Sequence, residues 1–439
     1  MKFSICQINS SLGDLNYNYN KIIKYYDQSI SSGADIVIFP ELSITGYPPK
    51  DLLYDKKFID DNLLYVDRLS KISTNPIIFG YVKRSKDKLY NSAAICFNGK
   101  IRFTYNKRLL PNYDIFDEKR YFLSGSDLGV FNLKFNDHEI KIGLQICEDL
   151  WDENHSVKIS EEQKNNGAEV LINISASPFS DNKLEKRIEL IRNKIRELEL
   201  PFLYCNMVGA QDEVIFDGSS LAFSNNGKLI KQGNYFKESC LILSLDSRKN
   251  VELILLKREE KIFNALCLGV SDYFFKTGHN EAVIGLSGGI DSALTATIAV
   301  EALGANNVHG ILLPSKFSSN HSLKDAEDLA LNLKIDSRKI PIQKSVDVLL
   351  DSLHDDFLGL KKDTAEENIQ SRVRGNILMA LSNKFDWLLL TTGNKTELAL
   401  GYCTLYGDMN GGLAVISDLS KLDVYKLSKW YNQNKSNII

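Results

Sequence analysis

The chain has no apolar run long enough to span a bilayer, no Cys-x-x-Cys pair, no low-complexity tract, no internal repeat and little net charge. Each absence removes a class. With no membrane-length run, and neither an apolar signal core nor an Arg-rich leader in MKFSICQINS, the sequence reads as cytoplasmic with no membrane partner. A formal net charge of -3 gives no general attraction to nucleic acid or anionic lipid. The seven cysteines (Cys6, Cys96, Cys147, Cys205, Cys240, Cys267 and Cys403) are odd in number and widely spaced, which argues against a disulfide framework or a structural zinc site. Most of them sit in apolar runs and read as small buried hydrophobes. The six histidines are scattered, so a Cys–His nucleophile is not indicated.

What is present is ordinary globular sequence. Apolar residues make up 44% and charged residues 25% of 439 positions, enough for two or three domains. Runs at 3–8, 35–39, 76–80, 93–97, 141–146, 170–174 and 201–205 are rich in Ile, Val and Phe and mostly lack clean alternation. They read as strands buried on both faces. Helical patterns such as 18–31 and 182–198 lie between them, which means a layered α/β domain. A charged stretch then places a boundary near 246–260, dividing the chain into 1–250 and 251–439. Strands are expected again at 281–286, 307–313 and 386–391, parallel because helical stretches separate them.

The sharpest signal is AVIGLSGGIDSALTATIAV at 282–300. A buried strand runs into Ser287, Gly288, Gly289, Ile290, Asp291 and Ser292 and then directly into an apolar helix. Glycines let backbone N–H groups close around an anion, and the helix N-terminus adds its positive dipole. Asp291 would repel phosphate unless a divalent cation bridges the two, so Mg²⁺ is implied. No lysine follows the glycines, so the Walker pattern is missing and a plain γ-phosphate transferase is disfavoured.

This segment resembles the pyrophosphate-binding loop of the ATP pyrophosphatase group, whose members release pyrophosphate and leave AMP on their substrate. The stretches 313–319, 367–374, 391–397 and 401–412 are similar, in order and spacing, to the signatures of NAD synthetases. That resemblance implies that Glu397 joins Asp291 on Mg²⁺ and that Thr392 and the 287–292 loop hold ATP. It also puts Lys421 on the ATP phosphates and Arg372 and Asp408 toward deamido-NAD.

In the first half, Cys147 ends a strand-like run in QICEDLW. Glu41 ends another in IVIFPEL, and Lys107 follows a third in TYNKRLLP. A carboxylate can take a thiol proton, and a lysine beside the sulfur can stabilise a tetrahedral oxyanion. Glu41, Lys107 and Cys147 match the Glu–Lys–Cys arrangement of the nitrilase superfamily. The segments 40–49, 110–122 and 145–151 resemble in particular the glutaminase domain of glutamine-dependent NAD synthetases. By that resemblance Glu118 is the second glutamate beside the lysine, and Tyr113 lies at the glutamine pocket.

The implied architecture is a four-layer α-β-β-α nitrilase sandwich followed by a doubly wound, mostly parallel α/β nucleotide-binding domain. The implied substrates are glutamine, ATP and deamido-NAD, with a protected ammonia channel and a homo-oligomer. The resemblance also implies sequence beyond residue 439 that would complete the ATP and deamido-NAD pockets. Retained glutaminase competence and weak or absent NAD synthesis are therefore expected. Two rivals remain on the residues: an ATP-pyrophosphatase amidotransferase with another acceptor, and an amidase with a degenerate second domain. Tyr406, Gly407, Asp408 and the stretch 314–319 argue against the first, and Glu397 with the intact 287–292 loop against the second.

Overall fold

The structure is a computed structural model describing residues 1–247, 251–436 and 438–439. It separates into two compact units, Met1–Leu255 and Leu256–Ile439. The boundary expected between 250 and 251 touches Arg248, Lys249 and Asn250, which lie outside the described residues, as does Asn437 at the end.

The first unit contains two six-stranded sheets. One runs in the order Ser239–Ser244, Lys2–Gln7, Ile36–Ile38, Ile77–Ser85, Lys88–Phe97, Lys100–Asn106. The other runs Leu229–Gln232, Leu221–Phe223, Phe202–Asn206, Val170–Ser175, His138–Ile146, Val130–Phe135. In each, three neighbouring strands are parallel and antiparallel strands flank them. Successive side chains on a strand point to opposite faces, so an unbroken apolar run feeds two cores. Ile77 and Phe79 pack with Ile22, Ile59, Val66 and Leu69 of the helices Leu15–Ser31 and Lys56–Ile72. Ile78 turns the other way, joining Phe3, Ile5, Ile142, Leu144 and Ile172 between the sheets. Outside the second sheet, Leu184, Ile188, Ile191 and Ile195 of the helix Lys183–Leu198 cover Phe202, Tyr204 and Phe223. The layers are therefore helix, sheet, sheet, helix.

The second unit holds one parallel sheet in the order Asp336–Lys339, Val308–Leu312, Ala282–Gly285, Leu388–Thr391, Leu413–Ala414. In chain order that is 3-2-1-4-5, so the winding reverses between Ala282–Gly285 and Leu388–Thr391. Ligands of open parallel sheets bind at such a reversal, beyond the carboxyl ends of the strands. Helices Gln343–Ser352 and Thr364–Phe385 contribute Val346 and Val373 to the core under Val283, Ile311 and Leu389. Phe263 of Arg258–Thr277 packs on Trp430 and Tyr431 of Lys421–Asn434. No described helix is long and apolar enough to cross a membrane.

Candidate active sites

In the first unit Glu41, Lys107 and Cys147 each follow the end of a strand, and the fold brings the three ends together. The Lys107 ammonium is wholly buried and donates to Glu41 Oε1 (2.7 Å) and Glu118 Oε1 (2.8 Å). Burial works against that charge, but the two carboxylates outweigh it and hold the Lys107 pKa well above its ordinary value. Glu41 also accepts from Asn91 Nδ2 on Oε1 (2.7 Å) and from the Ala176 N–H on Oε2 (2.8 Å). The turn carrying Glu41 depends on Gly80, where a Cβ would stand 2.1 Å from the Leu42 nitrogen.

Cys147 adopts φ 42°, a left-handed conformation unusual for a side chain larger than glycine. Asn173 Nδ2 holds its carbonyl at 3.3 Å. Burial pushes the Cys147 thiol well above its ordinary pKa; the Glu41 charge adds to this and Lys107 opposes it. A thiol raised in this way is protonated at rest, and to serve as a nucleophile it would need a base.

Several residues here carried no role in the sequence reading. Asp149 is buried and accepts from Tyr105 Oη (2.8 Å), Ile146 N (3.0 Å), Arg108 N (3.0 Å) and Leu109 N (2.9 Å). It clamps the segment after Lys107 to the turn holding Cys147, and burial pushes its pKa up to about 6. Glu148 accepts from Tyr113, the half-exposed residue expected at the glutamine pocket (2.9 and 3.1 Å to the two oxygens). Lys183 lies 4.2 Å over the Trp151 ring, its pKa lowered by burial and by Arg187, with Cys147 and Glu148 close enough to oppose that. Glu148 and Asp149 at least stood in the QICEDLW run; Asn91 and the Ala176 N–H left no local signal.

In the second unit a cavity of about 790 Å³ opens at the winding reversal, lined in part by Ser287, Pro314, Asn368, Arg374, Thr392 and Asp408. Ser287 Oγ and Ser292 Oγ lie 3.1 Å apart, and the Gly289 N–H donates to Ser287 Oγ at 3.2 Å. Gly288 has φ 79°, and a Cβ there would meet the Ser322 carbonyl oxygen at 2.1 Å. The helix Ile290–Leu303 begins at Gly289 without a side-chain cap, which leaves first-turn N–H groups for an anion.

Asp291 accepts from Asn394 Nδ2 (2.9 Å) and is paired with the Lys421 ammonium. Asn394 also closes a capping box with Glu397, its N–H donating to Glu397 Oε2 at 3.1 Å. Asn394 thus links the two carboxylates expected to bind metal, through its side-chain amide to Asp291 and its backbone N–H to Glu397. Among the described residues no group of three or more His, Cys, Asp or Glu could enclose an ion by itself. Two carboxylates of hard oxygen fit the usual Mg²⁺ arrangement, in which substrate phosphates and water complete the shell. Arg372 is exposed, donates to the Leu405 carbonyl at 3.2 Å and is absent from the cavity lining; Arg374, on the same helix, reaches it.

Two family models match the chain: carbon-nitrogen hydrolase over residues 2–252 and NAD synthase over 262–438. A glutamine-dependent NAD(+) synthetase of Thermotoga maritima is 39% identical over 98% of this chain and 81% of its own length. One of Synechocystis sp. is 42% identical over 99% of this chain and 81% of its own. The chain belongs to the glutamine-dependent NAD(+) synthetases. A solved member from Acinetobacter baumannii, in complex with ADP, superposes with a TM-score of 0.94 at 36% identity, covering 100% of this chain and 83% of that one. As a synthetase of this family it is an ATP-dependent ligase with a glutaminase domain, and the two matched regions are those two parts.

Glu118 supplies a pH test of the glutaminase centre. Burial raises its pKa from 4.5 to about 7, even though Lys107 and Tyr47 (2.9 Å) both bond its Oε1. Between about pH 4.5 and about 7 the folded synthetase therefore holds a proton there that the unfolded chain releases. This contribution to stability is present below about pH 4.5 and is lost as pH rises through about 7. Glu118→Gln removes the dependence. Its stability relative to wild type should climb by on the order of 1–3 kcal/mol between about pH 5 and about pH 8, read from denaturant melts. A difference that stays flat over that range would mean Glu118 is ionised throughout.

Proposed function

We propose that Cys147 attacks the side-chain amide carbon of glutamine while Glu41 takes the thiol proton. The Lys107 ammonium, already flanked by two carboxylates, stands where an oxyanion would develop. Collapse of the tetrahedral species expels ammonia, which leaves with the proton held by Glu41, and water then hydrolyses the glutamyl thioester. Glu148 and Lys183 offer opposite charges for the α-ammonium and α-carboxylate of glutamine, with Tyr113 beside them. Asp149 keeps the lysine segment and the cysteine turn in register.

In the second unit Ser287, Ser292 and the N–H groups of 288–290 cradle the ATP phosphates, with Ser287 and Thr392 lining the cavity. Asp291 and Glu397 would hold Mg²⁺, which offsets phosphate charge as pyrophosphate departs. Lys421, now paired with Asp291, would turn to a phosphate oxygen. The deamido-NAD carboxylate takes the adenylyl group and ammonia displaces AMP, with Asp408 and Arg372 on the acceptor side. Of the two arginines, Arg374 is the better supported by the cavity lining. A homo-oligomer belongs to this reading: Leu400, Tyr402, Leu405 and Tyr406 expose apolar surface next to the cavity.

The observation that carries the proposal is the presence, in one chain, of a buried carboxylate–lysine–thiol centre and a phosphate loop at a parallel-sheet reversal. The test supplies Mg-ATP and deamido-NAD with either glutamine or ammonia and identifies every product. Glutamate is expected from the glutamine arm, and whatever NAD is formed should be accompanied by AMP and pyrophosphate. Release of ADP and phosphate in their place would overturn the adenylation step.

A further inference from the structure

Away from both sites, Cys6 and Cys240 face each other across the edge of the first sheet. They are direct partners in the antiparallel pairing of Lys2–Gln7 with Ser239–Ser244, which is the outermost strand. Their sulfurs lie 2.6 Å apart. Paired antiparallel residues place their Cα atoms about 4.5–5.5 Å apart, inside the range of about 4.4–6.8 Å that a disulfide spans. Closing the bond to about 2.05 Å asks for roughly half an ångström of movement. Ser29 Oγ lies 3.3 Å from the Cys6 sulfur and 3.6 Å from that of Cys240, and Ser4 Oγ is 3.4 Å from Cys6. This polar cluster is set into an apolar layer and has no part in either reaction.

We propose that Cys6 and Cys240 are a modification site, oxidised by a hydroperoxide to a reversible disulfide that staples the first strand of the glutaminase unit to its last. Cys6 is wholly buried and Cys240 partly exposed, so Cys240 meets the oxidant. Its pKa is lowered, chiefly by the hydrogen bond from Cys6, which favours the reactive thiolate. The Cys240 thiolate attacks a peroxide oxygen; the O–O bond breaks, leaving a sulfenic acid and, after proton uptake, water (or an alcohol). The Cys6 sulfur then attacks the Cys240 sulfur, the S–O bond breaks, and a second water leaves. Two thiols have lost two electrons and two protons, and one peroxide has gained both.

The staple joins positions 234 residues apart, so it removes a large share of the freedom of the unfolded chain. The test treats the full chain with hydrogen peroxide, denatures it, blocks free thiols with iodoacetamide and maps peptides without reductant. A linked Cys6–Cys240 peptide is expected in most molecules, lost on adding dithiothreitol. Cys96 and Cys205 should be alkylated as free thiols. The linked protein should unfold several degrees higher than the reduced one, and reduced Cys240→Ser should hydrolyse glutamine at the wild-type rate. Free, alkylated Cys6 and Cys240 after prolonged treatment with excess peroxide would overturn the site. A linked protein with an unchanged unfolding midpoint would overturn its role as a staple.

Discussion

Replacing Cys147 by serine is expected to lower glutamine hydrolysis by at least about 10⁴-fold, the scale seen when a covalent nucleophile is removed. Serine preserves the shape of the turn, with φ 42° and the Asn173 bond to the carbonyl, because neither involves the sulfur. What it loses is acidity. The Cys147 thiol is already held above its ordinary pKa by burial and by Glu41, so even the thiol proton is hard to remove. A hydroxyl, several units less acidic still, would not give up its proton to a carboxylate. Ammonia-driven synthesis should stay at the wild-type rate, since Asp291, Lys421 and the 287–292 loop belong to a separately packed unit. Measuring glutamate and NAD in parallel tests both halves of the statement. Substantial glutamate production by a purified Cys147→Ser protein would sink the nucleophile assignment.

The second large effect is expected at Asp291. Its carboxylate is held by Asn394 and paired with Lys421, and Asn394 in turn links it to Glu397. Asp291→Asn keeps the size of the side chain but removes the charge that both Lys421 and a divalent cation require. With ammonia, Mg-ATP and deamido-NAD supplied, pyrophosphate release should fall by about 10²–10³-fold, the range for losing one preorganised electrostatic partner of a phosphoryl transfer. The cost should appear mainly in turnover rather than in folding, because the side chain is partly solvated and an asparagine can still bond Asn394. Wild-type pyrophosphate release in the variant would show that the metal and the lysine are held elsewhere.

The legible parts of the sequence were those whose chemistry is written consecutively. Residues 287–292 lie side by side, so the strand, the glycines and the helix start are read at once. The parallel strands declared themselves because burial on both faces demands unbroken apolar runs, as in Val170–Ser175. Antiparallel strands such as Lys100–Asn106 and Val130–Phe135 place charge at solvent-facing positions and carry a weaker pattern. Glu41, Lys107 and Cys147 were found through motif segments; their mutual contact is long-range and was not written locally. The Ala176 N–H on Glu41 could not have been found at all, since a backbone donor leaves no trace in residue identity. Arg372 and Arg374 show another limit. Two positions on a helix differ by about 200° around its axis, and only packing decides which one meets the cavity.

The glutaminase centre is assembled from strand ends of both sheets. Glu41 and Lys107 come from the first, whereas Cys147 and the Ala176 N–H that fixes Glu41 come from the second. Neither sheet alone carries the carboxylate, the ammonium and the thiol. A chain with only one of the two sheets formed has a thiol or a carboxylate–lysine pair but not both, so it cannot hydrolyse glutamine. Recovery of hydrolysis during refolding is therefore a late clock, which starts only when the inner faces of the two sheets have closed on one another.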